Sequence, residues 1–153
     1  MFLIEVCKAL KAKRVSYAVV GGYAVALHGA VRGTVDIDIV VKISEKSFIS
    51  AEAALKSIGL TPRLPVTGKE VFLFREEYIS NRNLIAWSFV DQKDPTKVVD
   101  IILTEDLSDL KTKVIPVGKE KLRILDIDDL IRMKKKSGRK QDLEDIKALE
   151  LLK

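Results

Sequence analysis

Apolar residues recur at three- and four-residue spacing over residues 2–13, with Phe2, Val6, Ala9 and Leu10 on one stripe, and predict an amphipathic helix. Tyr17 to Val20 is a short apolar run stopped by Gly21-Gly22, the pattern of a buried strand and a tight turn. The Ala-rich stretch Tyr23 to His28 predicts a helix, ended by Gly29 or Gly33. In TVDIDIVVK, residues 34–42, alternation and β-branched residues predict a strand. Ser44 is placed to N-cap a helix reaching Ile58, with Gly59 as its stop. TPRLPVTGK, with two prolines and a glycine, reads as a loop. EVFLFR (70–75), LIAWSFV (84–90) and KVVDIIL (97–103) read as strands. Thr104 caps a short helix over TEDLSDL, and VIPV and LRIL flank a hairpin turn at Gly118. Asp126 opens a helix to Lys136, Gly138 breaks it, and Gln141 to Leu152 forms a last helix.

Helices and strands alternate, so the expected fold is α/β (α+β): a mixed β-sheet with flanking helices. Residues 1–125 would form the core, and residues 126–153 a short C-terminal helical segment packed on the same domain. At 153 residues the chain can build a core without staples. Cys7 is its one cysteine, which excludes an intramolecular disulfide and a Cys-rich zinc site. Val15 to Val31 carries no charge, but Ser16, His28 and a Gly-Gly pair interrupt it, and a membrane span needs about 20 mostly apolar residues. No secretory pattern opens the sequence, and a cytoplasmic location is expected.

The net charge of +5 is local. Six of the 27 basic residues fall in RMKKKSGRK (132–140), leaving 21 against 22 acids elsewhere. One account has Lys134, Lys136, Arg139 and Lys140 binding a triphosphate or a nucleic-acid acceptor. The other has them solvated at a helix end, complementing its dipole. Asp142 and Asp145 follow closely and can clamp the basic residues structurally.

The chemistry lies in the acids. Asp36 and Asp38, two apart on a strand, share a face, while Ile37 and Ile39 point toward the core. Such like charges need a compensating cation, and oxygen-only ligation favours Mg²⁺ or Mn²⁺. Asp100 is an acid in an apolar strand, costly unless paired. If the two strands are neighbours, three carboxylates converge where metal ions can assist an in-line displacement at phosphorus. Gly21-Gly22, between a strand and a helix, lets a phosphate approach backbone N–H groups. Arg32 and Thr34, just before the acids, are placed to contact phosphate or orient Asp36.

VVGGYAVALHGAVRGTVDIDIVV, residues 19–41, resembles the signature of the nucleotidyltransferase superfamily related to DNA polymerase β: a Gly-Gly turn, a helix, then acid-x-acid on a strand. With His28-Gly29, Arg32, Thr34 and DIDI it is similar to the AbiEii/MNT-like branch, many of whose members are toxins or antitoxins. LDIDDLIRMKKKSGRKQDLEDIKALE also resembles that branch. The resemblance implies a cytoplasmic, metal-dependent enzyme that uses a nucleoside triphosphate, ATP among them. Gly21 and Gly22 would hold the triphosphate, with Arg32, Thr34, Lys134 and Arg139 as further nucleotide contacts. Asp36 and Asp38 would bind Mg²⁺, and Asp100 would share a metal and help deprotonate the acceptor. A hydroxyl of RNA (tRNA) or protein would attack the α-phosphate and release pyrophosphate. A cognate toxin or antitoxin protein would be the partner.

Two other readings stand beside this one. One is a catalytically silent module of the same fold that masks a partner; the other is a nucleic-acid binder acting through the basic segment. His28, beside Gly29, suits a structural role, and Trp87 and Phe89 suit the core.

Overall fold

The computed structural model describes residues 1–153. Helix α1 (Phe2–Ala12) buries Leu3, Val6, Cys7 and Leu10, and Arg14 at φ 58° reverses the chain into β1 (Tyr17–Val20). Helix α2 (Gly21–Leu27) starts directly on the end of β1. That change of direction falls on Gly21 at φ 64°, a left-handed conformation glycine adopts without a Cβ penalty. An irregular segment leads to β2 (Ile37–Val41). Helix α3 (Glu45–Ser57) follows, with Ser44 Oγ accepting from Ser47 N–H as the N-cap.

The next stretch departs from expectation. The proline-containing loop begins as a short strand, β3 (Leu60–Pro62), on the sheet edge, where a proline without an N–H is tolerated. EVFLFR is not a strand: it lies in helices α4 (Gly68–Leu73) and α5 (Arg75–Arg82). The cause is a capping box, in which Thr67 Oγ1 accepts from Glu70 N–H while Glu70 Oε1 accepts from Thr67 N–H. Gly68 packs against the Phe48 backbone, so α4 lies close on α3, and Glu52 Oε1 accepts its N–H at 2.9 Å.

Strands β4 (Ala86–Asp91) and β5 (Val98–Ile102) follow. The short helix expected over TEDLSDL is a 3₁₀ turn, Leu107–Asp109, capped by Asp106 rather than Thr104. Strands β6 (Thr112–Val117) and β7 (Glu120–Leu125) make the hairpin. Helix α6 (Ile127–Ser137) is capped by Asp126 and ended by Gly138 in the left-handed region, and α7 (Lys140–Leu151) closes the described chain.

The sheet has seven strands in the order β3-β4-β5-β2-β1-β7-β6. It is mixed: β1 runs antiparallel to β2 and parallel to β7, and β2 runs parallel to β5. Ile37, Ile39, Val99 and Ile101 are buried, as are Trp87 and Phe89. The Trp87 ring lies 6.1 Å from that of Phe48 on α3 and 4.7 Å from that of Phe89. Leu130, Ile131 and Leu149, from α6 and α7, belong to the same core. His28 Nε2 lies 2.7 Å from the Leu125 carbonyl oxygen, tying the end of α2 to β7. No helix is long and apolar enough to cross a membrane.

Candidate active site

The parallel pairing of β2 and β5 sets Asp38 opposite Asp100, and β4 sets Ser88 opposite Asp100. Alternation puts these three on the sheet face away from Ile37, Ile39, Trp87 and Phe89. Ser88 Oγ–H donates to Asp100 Oδ1 at 2.5 Å, which orients that carboxylate. Adjacent strands lie about 4.8 Å apart, so Asp38 and Asp100 repel each other unless something intervenes. Burial, then Asp100, then Asp36 push the Asp38 carboxyl up to about 7 against the pull of Lys134 and Arg139.

Asp36 is one residue short of β2, not within the strand, and is exposed. Burial and Asp100 raise its carboxyl, and Arg63 opposes them. Because Asp36 is outside the ladder, the pleat does not hold it to the face of Asp38. No group of three His, Cys, Asp or Glu side chains is gathered so as to hold a metal ion. The acids brought together in register are Asp38 and Asp100.

A Cβ on Gly21 would collide with Asp38 Oδ2, so the turn and the acid are in direct contact. A Cβ on Gly22 would collide with Arg32 Nη1 and come within 2.7 Å of Thr34 Oγ1. Arg32 and Thr34 therefore lie on the Gly22 backbone. Arg32 Nε is 2.8 Å from Asp145 Oδ1, an ion pair held off the N–H axis.

Lys134, 5% exposed, lies 3.2 Å from Asp142 Oδ1 and 3.0 Å from Asp145 Oδ2. Arg139 donates to Asp142 through its backbone N–H and through Nε, at 3.0 and 2.9 Å. Burial alone would raise the Asp142 carboxyl; hydrogen bonds from Arg139, Ser137 and Lys134 outweigh it and hold it far below the usual carboxylate range. The clamp expected of Asp142 and Asp145 is thus formed, and Asp145 extends it to Arg32.

A cavity of about 470 Å³ joins these parts. Gly21, Asp38, Asp100, Lys134 and Arg139 line it; Gly22, Arg32, Thr34 and Asp36 do not. Ile85, Ile102 and Met133 contribute apolar wall, and Glu105 lines it near Arg132, whose Nη2 is 2.7 Å from Glu105 Oε1. Ser88, Arg63 and Glu105 were missed by sequence reasoning. Ser88 had a signal: it is the polar position between Trp87 and Phe89, so it faces the acid side. Arg63 and Glu105 had none, because their neighbours come from distant segments.

A family model described as "Nucleotidyltransferase of unknown function (DUF6036)" matches residues 3–153. A search of the curated proteins finds no match. Among solved structures, the solution structure of the antibiotic-resistance factor ANT(2'')-Ia is similar with a TM-score of 0.64 at 10% identity, covering 99% of this chain and 86% of that one. The lincomycin-bound lincosamide antibiotic adenylyltransferase LnuA is similar with a TM-score of 0.61 at 14% identity, covering 99% and 96%. A putative nucleotidyltransferase from Thermotoga maritima gives 0.61 at 17%, covering 95% and 88%. These likenesses assign the nucleotidyltransferase fold.

Proposed function

The chain belongs to the DUF6036 nucleotidyltransferase family, and from that premise we propose that it is a metal-dependent enzyme transferring an NMP from a nucleoside triphosphate to an acceptor hydroxyl. The observation that carries the reading is the in-register pair Asp38 and Asp100 beside Gly21, at the wall of one cavity. Two facing carboxylates with a raised Asp38 form an oxygen donor set that a hard divalent cation suits. Asp38 and Asp100, joined by Asp36, would hold Mg²⁺ or Mn²⁺, and the bound ion would supply neutralisation of charge at phosphorus.

The chain's own residues do the rest. Gly21 and Gly22, lacking side chains, let Asp38 on one side and Arg32 and Thr34 on the other close onto the turn that would hold the triphosphate. Lys134 and Arg139 set positive potential against the acid side of the cavity. Asp100, fixed through Oδ1 by Ser88, accepts the proton of the acceptor hydroxyl. The new bond joins the acceptor oxygen to the α-phosphorus, and the bond from that phosphorus to the bridging oxygen breaks to release pyrophosphate. Positioning and electrostatics account for such catalysis.

The motifs at residues 19–41 and 125–150 support the AbiEii/MNT-like branch, with RNA (tRNA) or protein as acceptor and a toxin–antitoxin partner. A small-molecule acceptor is the second reading. Its support is that the lincomycin-bound neighbour matches this chain over 96% of its own length, without a large extra domain.

The test is Mg²⁺-dependent transfer of label from α-³²P-NTPs to tRNA, to candidate partner proteins and to a panel of aminoglycoside and lincosamide antibiotics. Asp38→Asn should abolish transfer. Undiminished transfer in that variant rejects the site, and the acceptor that takes label decides between the readings.

A further inference from the structure

Arg32 stands in the irregular segment between α2 and β2, where no regular backbone fixes a long side chain, and yet that side chain is 18% exposed. What holds it comes from α7. Asp145, its side chain 3% exposed, meets Arg32 Nε through Oδ1 and Lys134 Nζ through Oδ2. A carboxylate this deep persists as an ion only when paired, and here two cations share it. The pairing uses one of three guanidinium nitrogens. The two Nη groups find no acceptor within the protein and reach solvent. Nη1 fills the space that a side chain on Gly22 would occupy.

We infer that Asp145 is a positioning residue: it holds the Arg32 guanidinium on the Gly21-Gly22 turn with both Nη groups presented to a polyphosphate. This rests on the nucleotidyltransferase reading and deepens it. A guanidinium offers parallel N–H donors that match two phosphate oxygens, a geometry lysine lacks. Held from behind, Arg32 gives up its rotamer freedom on folding rather than on binding. The ligand class follows from the two sides of the turn. Unpaired donors on Arg32 call for an anion, while Asp38 on the other side of Gly21 calls for a cation, and a magnesium polyphosphate supplies both. Arg32, Lys134 and Arg139 against Asp142 and Asp145 leave one positive charge in surplus on the anion side.

Titration calorimetry of the full chain with Mg²⁺ and inorganic tripolyphosphate tests this without requiring turnover. The wild type should bind; Asp145→Asn should weaken binding about tenfold, the size of one charge-assisted hydrogen bond. Arg32→Ala should weaken it at least as much, and adding Asp145→Asn to Arg32→Ala should cost far less than Asp145→Asn alone. In turnover, Asp145→Asn should raise KM for the NTP by the same factor with kcat unchanged. Wild-type affinity in Asp145→Asn overturns the inference, as does an equal loss in the Arg32→Ala background, which marks general loosening. If Asp145→Asn does not fold, Asp145→Glu keeps the charge and displaces the guanidinium by one methylene; it should weaken binding several-fold, and unchanged affinity overturns the inference. No binding by the wild type overturns the nucleotide-site reading itself, an outcome distinct from wild-type binding that Asp145→Asn leaves intact.

Discussion

Replacing Asp38 by asparagine should separate stability from function in a way that depends on pH. The Asp38 carboxyl is raised from its ordinary 3.8 to about 7, because folding buries it and sets it against Asp100. Its neutral form is therefore the one the fold favours. The folded state binds the proton more tightly than the unfolded chain, so stability is highest below the unfolded value and is lost as pH rises through 7. At 1.36 kcal/mol per pH unit, the full loss is about 4 kcal/mol, and the part lost between pH 5 and pH 8 is about 2 to 3 kcal/mol. Asparagine cannot ionise. Its own packing and hydrogen-bonding offset is the same at both pH values and cancels in a difference of differences.

The assay is urea unfolding of wild type and Asp38→Asn at pH 5 and pH 8 without divalent metal, followed by far-UV circular dichroism. The stability of the variant relative to wild type should rise by about 2 to 3 kcal/mol on going from pH 5 to pH 8. Added Mg²⁺ should stabilise the wild type at pH 8 and leave the variant unmoved, while the variant loses transfer activity. A relative stability that is flat between the two pH values, or that falls, refutes the claim that Asp38 carries an uncompensated charge in the metal-free fold.

Gly21→Ala should lower stability by about 1 to 2 kcal/mol, from its left-handed backbone alone, and abolish transfer by pressing a methyl on Asp38; chemical melts and the label assay check both. Lys134→Met leaves Asp142 and Asp145 short of a buried partner and should cost about 3 to 5 kcal/mol. Because the Asp142 carboxyl is depressed, the stability it contributes is present above pH 4 and lost as pH falls toward its folded value; an acid titration by circular dichroism should show this loss in the wild type. Cys7 is 2% exposed, and burial pushes its thiol up to about 11, so Ellman's reagent at pH 8 should react only when the chain is unfolded. Rapid reaction of the native protein refutes that burial.

What the sequence disclosed was local. A Gly-Gly pair after an apolar strand and Asp126 and Gly138 bounding a helix each carry their physics within a few residues, and each appears where it was expected; of the acid-x-acid pair, Asp38 lies in the strand and Asp36 one residue before it. EVFLFR did not, because β-branched and aromatic composition competes with a capping signal. The Thr67–Glu70 pair decided it, and that pair was present in the sequence. Strand register was invisible until the sheet order was known. Nothing in KVVDIIL says that Asp100 faces Asp38 on one side and Ser88 on the other.

The basic segment shows why a charge run is ambiguous in sequence. Of its six cations, Arg132 and Lys136 meet Glu105, Lys134 meets Asp142 and Asp145, and Arg139 meets Asp142. Lys134 alone among them is buried, linking α6 to α7; Arg132, Lys136 and Arg139 stay largely exposed while meeting acids that are themselves buried. Counting residues treats the acids and bases as one sum. The fold separates them: Asp38 and Asp100 stand together on the sheet, and Arg32, Lys134 and Arg139 converge on Asp142 and Asp145 beside them. A ligand that joins a cation to a polyanion relieves both halves at once, since the cation offsets the sheet acids and the polyanion meets the surplus guanidinium donors. That is why the weaker polyphosphate binding of Asp145→Asn and the pH-dependent stability at Asp38 are two tests of one charge separation.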